Sequence, residues 1–133
     1  MDALAPLGVA SQVLSLHPIG GMGPLMTSRG ISYRGLCYRG PAGIGILPSL
    51  VRELHKNKVD RIVMTGPHLV AMAAMKLAGK RGSFLAVHFH HTGVKSPASW
   101  RTIYRMALER FGWITFPSDF VRNEALEILP RIE

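Results

Sequence analysis

The sequence predicts an α/β fold in which a parallel sheet has helices on both of its faces. Short apolar runs alternate with amphipathic helical patterns along the 133 residues, and glycine or proline marks most of the boundaries. Parallel strands need long crossover connections, which are usually helices, so this alternation favours one parallel sheet. The five strands are predicted over 9–17, 31–38, 61–65, 83–87 and 113–116.

Helical patterns occupy most of the segments between the predicted strands. One helical turn is predicted over 25–29, closed by Gly30. The next helix begins near Pro48, because proline suits the first helical turn. Its apolar stripe consists of Leu47, Leu50, Val51 and Leu54, whereas Arg52, Glu53 and Lys56 lie off the stripe.

The third and fourth helices have clear end signals. The third, over 69–78, is apolar on nearly every side and stops at Gly79. The fourth has Ser96 as its N-cap and Pro97 at its first position, and Gly112 is its predicted end. Its apolar positions, all at helical spacing, are Trp100, Ile103, Tyr104, Ala107, Leu108 and Phe111.

The last strand and the last helix complete a single predicted domain over 1–133. Trp113 and Phe116 belong to the fifth strand, and we expect both side chains to be buried. Ser118 or Asp119 caps the following helix, which ends before Pro130.

Charge is distributed unevenly along the chain. It has 16 lysine and arginine residues against 8 acidic residues, which gives a net charge of +8. No acidic residue lies between Asp60 and Glu109, and this interval holds four of the six histidines. Such a field attracts phosphate on a nucleotide, a lipid head group or a nucleic acid. A solvated basic face is the simpler alternative.

Several protein classes are disfavoured by composition. The single cysteine, Cys37, excludes an internal disulfide framework and suits a reducing compartment. The longest apolar stretch, 69–79, is interrupted by Lys76 and is too short to span a bilayer. Basic and aromatic residues are not interleaved as in a nucleic-acid platform, so no nucleic-acid partner is expected. No Gly-x-Ser-x-Gly elbow marks a hydrolase nucleophile. We therefore expect a cytoplasmic protein.

A turn rich in histidine follows the fourth predicted strand and is called here the histidine turn (residues 87–95). Its polar side chains are His88, His90, His91, Thr92 and Lys95. Ligands of open α/β sheets bind outside the carboxyl ends of the strands, which is where this turn is placed. Neutral imidazole both donates and accepts hydrogen bonds, which fits a polyol, and protonated imidazole fits phosphate.

Two other roles are open for the histidine turn. The imidazoles could be structural and bind the backbone of their own loop. A metal site would need a third or fourth ligand, and the turn offers neither carboxylate nor cysteine, although His68 could approach from a neighbouring loop. We expect no metal.

Two further turns lie at the carboxyl ends of predicted strands. Gly66 and His68 stand at the start of the third helix, whose free N–H groups could hold an anion, although a short turn needs glycine and proline in any case. Ser118 and Arg122 follow the fifth strand, where Ser118 is first of all a cap. The loop over 20–23 is glycine-rich but has neither the phosphate-loop nor the dinucleotide spacing.

Several short segments occur together in a distinctive order. They are Leu14–Pro18 before a glycine-rich loop, Ser28–Ile31, Leu50–Leu54 leading to Val59–Val63, Val87–His88, and Pro117–Arg122. In this order and spacing they resemble the N-terminal domain of family-4 glycosyltransferases, which have the GT-B fold with Rossmann-like domains. The family's usual glycine after the histidine is replaced here by Phe89.

The resemblance implies an enzyme that transfers a sugar from a nucleotide-sugar donor to a sugar or a lipid-linked acceptor, with no further cofactor. The N-terminal half mainly shapes the acceptor side. His88 is carried over as the cleft residue beside the transferred sugar. The substrate-binding residues on this interpretation are Gly66, His68, His90, His91, Thr92, Lys95, Ser118 and Arg122. A lipid-linked acceptor would place the reaction at the cytosolic face of a membrane, with peripheral contact only.

The resemblance also implies that parts of the enzyme are missing. The family's first strand and its glycine-rich loop would precede Met1, and the C-terminal donor-binding half would follow Glu133. In the strand order 3-2-1-4-5-6 the first strand is central, so we expect an incomplete GT-B domain that is inactive alone. A non-catalytic module for a phosphorylated or anionic ligand is the second hypothesis. A small basic nucleic-acid binder is the third.

Overall fold

The protein alternates strands and helices and contains parallel sheets, so the predicted α/β class with parallel strand pairing is confirmed. The computed structural model describes residue 6 and residues 8–38, 44–57, 59–87 and 97–130. Its chain forms two compact units, Met1–Ile46 and Leu47–Glu133.

The first unit is built around two parallel strands. Strands β1 (Gln12–Ser15) and β2 (Ser32–Gly35) pair in parallel, and helix α1 (Met22–Ser28) connects them. The sequence predicted a single helical turn over 25–29, but the helix already begins at Met22. Pro24 does not prevent this, because proline is tolerated in the first turn of a helix. Gly30 has a φ of 68° and ends the helix as predicted.

The second unit contains a three-stranded parallel sheet in the order β3-β4-β5. Its elements are helix α2 (Leu47–Lys56), strand β3 (Val63–Thr65), helix α3 (Leu69–Leu77), strand β4 (Gly82–Ala86), helix α4 (Pro97–Arg110), strand β5 (Phe111–Thr115) and helix α5 (Asp119–Ile128). A short 3₁₀ helix, Ile44–Ile46, precedes α2. The three strands run in the same direction, so their carboxyl ends share one edge.

The prediction of one five-stranded sheet is wrong for the residues that the structure describes. There β1 pairs with β2, and β3 pairs with β4, but no ladder joins β1 to β3. The two groupings are those that the order 3-2-1-4-5-6 leaves when its strand 1 is omitted. No described strand supplies the backbone partners that would join the two sheets.

Helix α4 is the centre of the core of the second unit. Its predicted stripe is confirmed at Trp100, Ile103, Tyr104 and Ala107, which are all buried. The rings of Trp100 and Tyr104 stack with centroids 5.7 Å apart, and Tyr104 meets the ring of Phe116 at 6.4 Å. This aromatic chain fixes α4 against the residue that follows β5.

The helices that connect the three strands cover one face of the sheet. Both crossovers run in the same direction, so the right-handed rule places α3 and α4 on the same face, and they contact each other. Leu85 and Val87 are buried on that face. Register places Val63, Phe84 and Trp113 on the opposite face, where Val63 is 66% and Trp113 is 74% exposed.

The predicted burial of Trp113 is therefore wrong. Its side chain lies on the sheet face opposite Leu85, which is the face that the connecting helices do not cover. Val63 of β3 is exposed for the same reason.

Helix α4 passes directly into β5 without a loop. The sequence predicted Phe111 as the last helical position and Gly112 as the stop, but Phe111 is the first residue of the strand. Its ring lies against Gly82 of β4, so closely that a Cβ on Gly82 would collide with it. Phe111 is buried nonetheless, because glycine leaves room for its ring.

Glu53 departs from the predicted polar face of α2. It is only 5% exposed. The side-chain amide of Asn57 donates a hydrogen bond to its carboxylate, with Nδ2 and Oε2 3.3 Å apart. A buried carboxylate needs such a donor, because its desolvation is costly.

We predict that Gly82→Ala destabilises the second unit, because the new Cβ must displace the Phe111 ring. Overpacking of this kind costs about 1–3 kcal/mol, which lowers the Tm by several degrees. Circular dichroism during heating measures the change. Gly112→Ala in β5 is the matched control, since its nearest contact would be the Ser83 carbonyl oxygen at an ordinary 3.6 Å. Equal melting temperatures for the two variants would contradict the prediction.

We predict that Val63→Lys delays aggregation of the purified protein. Exposed edge strands template further strand pairing, and a lysine on the edge opposes it. Val63 is solvent-exposed, so the substitution should change the free energy of unfolding by less than about 1 kcal/mol. Light scattering against protein concentration measures the onset. Met64→Lys, on the other face of the same strand, should instead lower the Tm, and an unchanged onset for Val63→Lys would refute the idea.

Candidate functional site at the carboxyl edge of the three-stranded sheet

The carboxyl ends of the three strands are held at one level by backbone hydrogen bonds. The Gly66 N–H donates to the Ala86 carbonyl oxygen, with N and O 2.7 Å apart, and the Val87 N–H donates to the Thr115 carbonyl oxygen at 2.9 Å. The predicted turns at Gly66 and Ser118 therefore open on the same edge of the sheet. This edge is where open α/β sheets bind ligands.

At the end of β3 one backbone N–H group, that of Gly66, is already used in the sheet and cannot bind a ligand. Gly66 is buried with a φ of 77°, a left-handed conformation that favours glycine, and its N–H belongs to the sheet. Pro67 has no N–H to offer. Donors for an anion must come from the first turn of α3, where His68 is the N-cap but makes no side-chain cap hydrogen bond. The first turn of α3 holds no acidic residue.

The end of β4 leads into the histidine turn. Val87, the first residue of this turn, is described by the structure and is buried. The candidates His88, His90, His91, Thr92 and Lys95 lie outside the described residues. Their assignment as site residues therefore stays a prediction.

At the end of β5 a serine cap begins the last helix. Ser118 has an extended backbone, and its hydroxyl oxygen accepts a hydrogen bond from the Val121 N–H, with Oγ and N 3.4 Å apart. The Arg122 N–H donates to the Ser118 carbonyl oxygen at 3.1 Å. Asp119 in the first turn complements the positive end of the helix dipole. The Ser118 hydroxyl accepts the cap bond, so its proton is still available to a ligand.

An open groove of about 720 Å³ lies along β5 and reaches the start of α5. It is lined by Leu108, Phe111, Gly112, Trp113, Ile114, Thr115, Phe116, Ser118, Asp119 and Arg122. The structure thus brings Ser118 and Arg122 together in one groove. Gly66 and His68 are not in its lining. Two strand spacings, about 10 Å, separate the ends of β3 and β5.

Of the residues that line this groove, sequence reasoning had assigned only Ser118 and Arg122 to a site. Trp113, Thr115 and Asp119 are exposed and line it. Strand β5 lacks a regular alternation of polar and apolar residues, so no periodic signal indicated which face of the strand is open. The position of Asp119 in a helix cap was visible, but not its place in a groove.

The first unit carries a polar ring pair that was also missed. His17 follows β1 and Tyr38 follows β2, and their rings meet edge to face with centroids 5.2 Å apart. The Tyr38 N–H donates to the Leu16 carbonyl oxygen at 2.9 Å, which aligns the two strand ends. The signal was present, because His17 and Tyr38 are the last residues of the predicted strands 9–17 and 31–38 and so lie at their carboxyl ends.

Metal and membrane features can be assessed over the described part of the chain. There, no group of three or more histidine, cysteine, aspartate and glutamate side chains is arranged to hold a metal ion. Cys37, the single cysteine of the sequence, is exposed. Within the same residues, no helix has both the length and the hydropathy needed to cross a membrane.

We predict that Ser118→Ala weakens the start of α5. Loss of an N-cap hydroxyl costs about 0.5–2 kcal/mol, so the Tm should fall by a few degrees. Ser118→Asp keeps a cap acceptor and should keep the Tm. Differential scanning calorimetry of the two variants measures this. If Ser118→Ala had the same Tm as the unchanged protein, the Ser118 hydroxyl would not serve as a structural cap.

Comparison with known proteins adds no relative to this description. No protein-family model, curated protein sequence or solved structure matches the chain.

Proposed function

We propose that this chain is the acceptor-side domain of a glycosyltransferase that uses a nucleotide-sugar donor. The observation that carries the proposal is the parallel register of β3, β4 and β5, which brings the carboxyl ends of three strands to one edge of the sheet. Each of these strands is followed in the sequence by a polar turn. The resemblance to family-4 glycosyltransferases adds the reaction type. The two strand groupings, β1-β2 and β3-β4-β5, are compatible with the doubly wound order of that fold.

On this proposal each turn has its own part in binding. His88 lies beside the transferred sugar, where an imidazole can donate to or accept from a hydroxyl group. His90, His91, Thr92 and Lys95 extend the same turn. The turn over 66–68 and the residues Ser118 and Arg122 hold the acceptor from either side. No metal or organic cofactor is invoked.

The proposal also covers location and partners. The donor is a nucleotide sugar, and the acceptor is a sugar or a lipid-linked sugar. With a lipid-linked acceptor the reaction would take place at the cytosolic face of a membrane. Anionic lipids there would attract this protein, which has a net charge of +8. The protein would otherwise be cytoplasmic.

We predict that His88→Ala lowers sugar transfer by about 10²-fold or more, the usual effect of removing a group that acts on the reacting centre. The Tm should stay unchanged. Transfer of radiolabelled sugar from a panel of nucleotide sugars is measured on protein isolated from its own cells, so that any polypeptide that works with it is present. His55→Ala, an exposed histidine in α2, is the control and should keep full transfer.

The outcomes separate catalytic from structural histidine. A normal rate for His88→Ala would remove His88 from the site. A large loss of Tm would indicate a structural imidazole. No transfer by the unchanged protein from any nucleotide sugar in the panel would contradict the proposed function itself.

A non-catalytic module for an anionic ligand is the second candidate function. The acid-free interval between Asp60 and Glu109 favours it, and several of its basic residues are exposed: Lys76, Arg81, Arg101 and Arg105. Binding of nucleoside diphosphates without any transfer would support it. Binding to random DNA with a steep salt dependence would instead indicate the nucleic-acid hypothesis.

A further inference from the structure

The indole of Trp113 is the most exposed large apolar side chain in the described structure. It lies in the groove along β5, and Thr115, two residues later on the strand, points to the same face of the sheet. Burial of an indole releases a large amount of apolar area, so an open tryptophan inside a groove is favourable for a ligand with a flat apolar face. The groove is therefore more than an uncovered strand edge.

Polar groups line the same groove at the carboxyl end of β5. Thr115 and Ser118 supply hydroxyl groups, Asp119 supplies a carboxylate and Arg122 supplies a guanidinium, and all four side chains are exposed. The groove thus holds one negative and one positive charge. A carboxylate accepts hydrogen bonds from hydroxyl groups, and a guanidinium donates to hydroxyl or ring oxygens.

We propose that this groove binds a pyranose ring of a neutral saccharide, stacked on Trp113, with its hydroxyl groups held by Asp119 and Arg122. A pyranose presents a patch of C–H groups on one face and hydroxyl groups around its rim, which matches a groove lined by an indole, a carboxylate and a guanidinium. The identification of this saccharide as the acceptor rests on the proposed function, but its binding does not.

Other occupants fit the groove less well. A phosphate would be repelled by Asp119, which lies in the same lining as Arg122. A second copy of the chain would bring two bodies of net charge +8 together. A neutral nucleoside could stack on Trp113, and it is therefore included in the test as a competitor.

Fluorescence reports on the groove directly because the two tryptophans differ in exposure. Trp100 is 1% exposed and is shielded from iodide, whereas Trp113 is open. The probes are maltotriose and the methyl glycosides of glucose, galactose, mannose and N-acetylglucosamine. We expect at least one of them to protect the iodide-quenchable emission in a saturable way. Inorganic phosphate and uridine should protect it less.

Ligand-observed saturation-transfer NMR compares the variants without using the reporter. Trp113→Ala should weaken binding of the best saccharide by about tenfold, the loss expected for one aromatic stacking contact. Trp113→Phe should retain part of the affinity. Leu77→Ala is the matched control, because Leu77 is a similarly exposed apolar residue on α3, outside the groove.

Each result decides for or against the groove. Absence of binding by every saccharide, stronger binding of uridine or phosphate, or equal loss in Leu77→Ala overturns the proposal. Protection of Trp113 that grows with protein concentration alone also overturns it, since a second copy would then fill the groove. If Trp113→Ala fails to fold, Asp119→Asn and Thr115→Val replace it and must weaken binding.

Transfer assays separate this proposal from the proposed function. Saccharide binding that depends on Trp113, without any sugar transfer, would support the groove and contradict the glycosyltransferase. Sugar transfer that is unaffected by Trp113→Ala, with no measurable saccharide binding in the groove, would support the glycosyltransferase and contradict the groove.

Discussion

The parallel pairing of β3, β4 and β5 is the constraint on which the rest of the second unit depends. Parallel neighbours require a crossover for each pair, and here α3 and α4 provide them. The crossover helix α4 is held against the sheet by Tyr104, whose ring stacks on Trp100 and meets the ring of Phe116 beyond the end of β5. The same contacts that close the core therefore fix the backbone from which Ser118 and the last helix begin.

Right-handed crossovers then determine which residues face solvent. With α3 and α4 on the same face, Leu85 and Val87 are buried and the opposite row, Val63 to Trp113, is open. The exposed tryptophan is thus not a local accident of β5. Its exposure follows from the strand order β3-β4-β5, which puts both connecting helices on the other face. The large apolar ring of Trp113 therefore shares a groove with the polar turn at the end of the same strand.

The sequence predicted elements better than it predicted their surroundings. Helix α4 was predictable because Trp100, Ile103 and Tyr104 repeat at helical spacing, and the Ser118 cap was predictable from residue type. Burial of β5 was not, because a three-stranded sheet can be covered on either face and the run Phe111–Thr115 contains no alternation to choose between them. The strand pattern alone did not predict the separation into two sheets, since pairing depends on partners distant in the chain; only the strand order implied by the resemblance divides the strands into these two groups. For the same reason the groove was missed: its lining comes from α4, β5 and α5 together.

The charges at the carboxyl edge differ from one strand to the next. The turn after β3 and the residues around it belong to an interval without acids, whereas the turn after β5 pairs Asp119 with Arg122. Not every basic residue of that interval lies at this edge, because the Lys80 ammonium group donates to the Val59 carbonyl oxygen, which precedes β3, with Nζ and O 3.1 Å apart. The groove at the carboxyl end of β5 holds one carboxylate and one guanidinium, those of Asp119 and Arg122, so its charge is balanced. This balance is a property of the turn after β5 and not of the chain as a whole, whose net charge is +8.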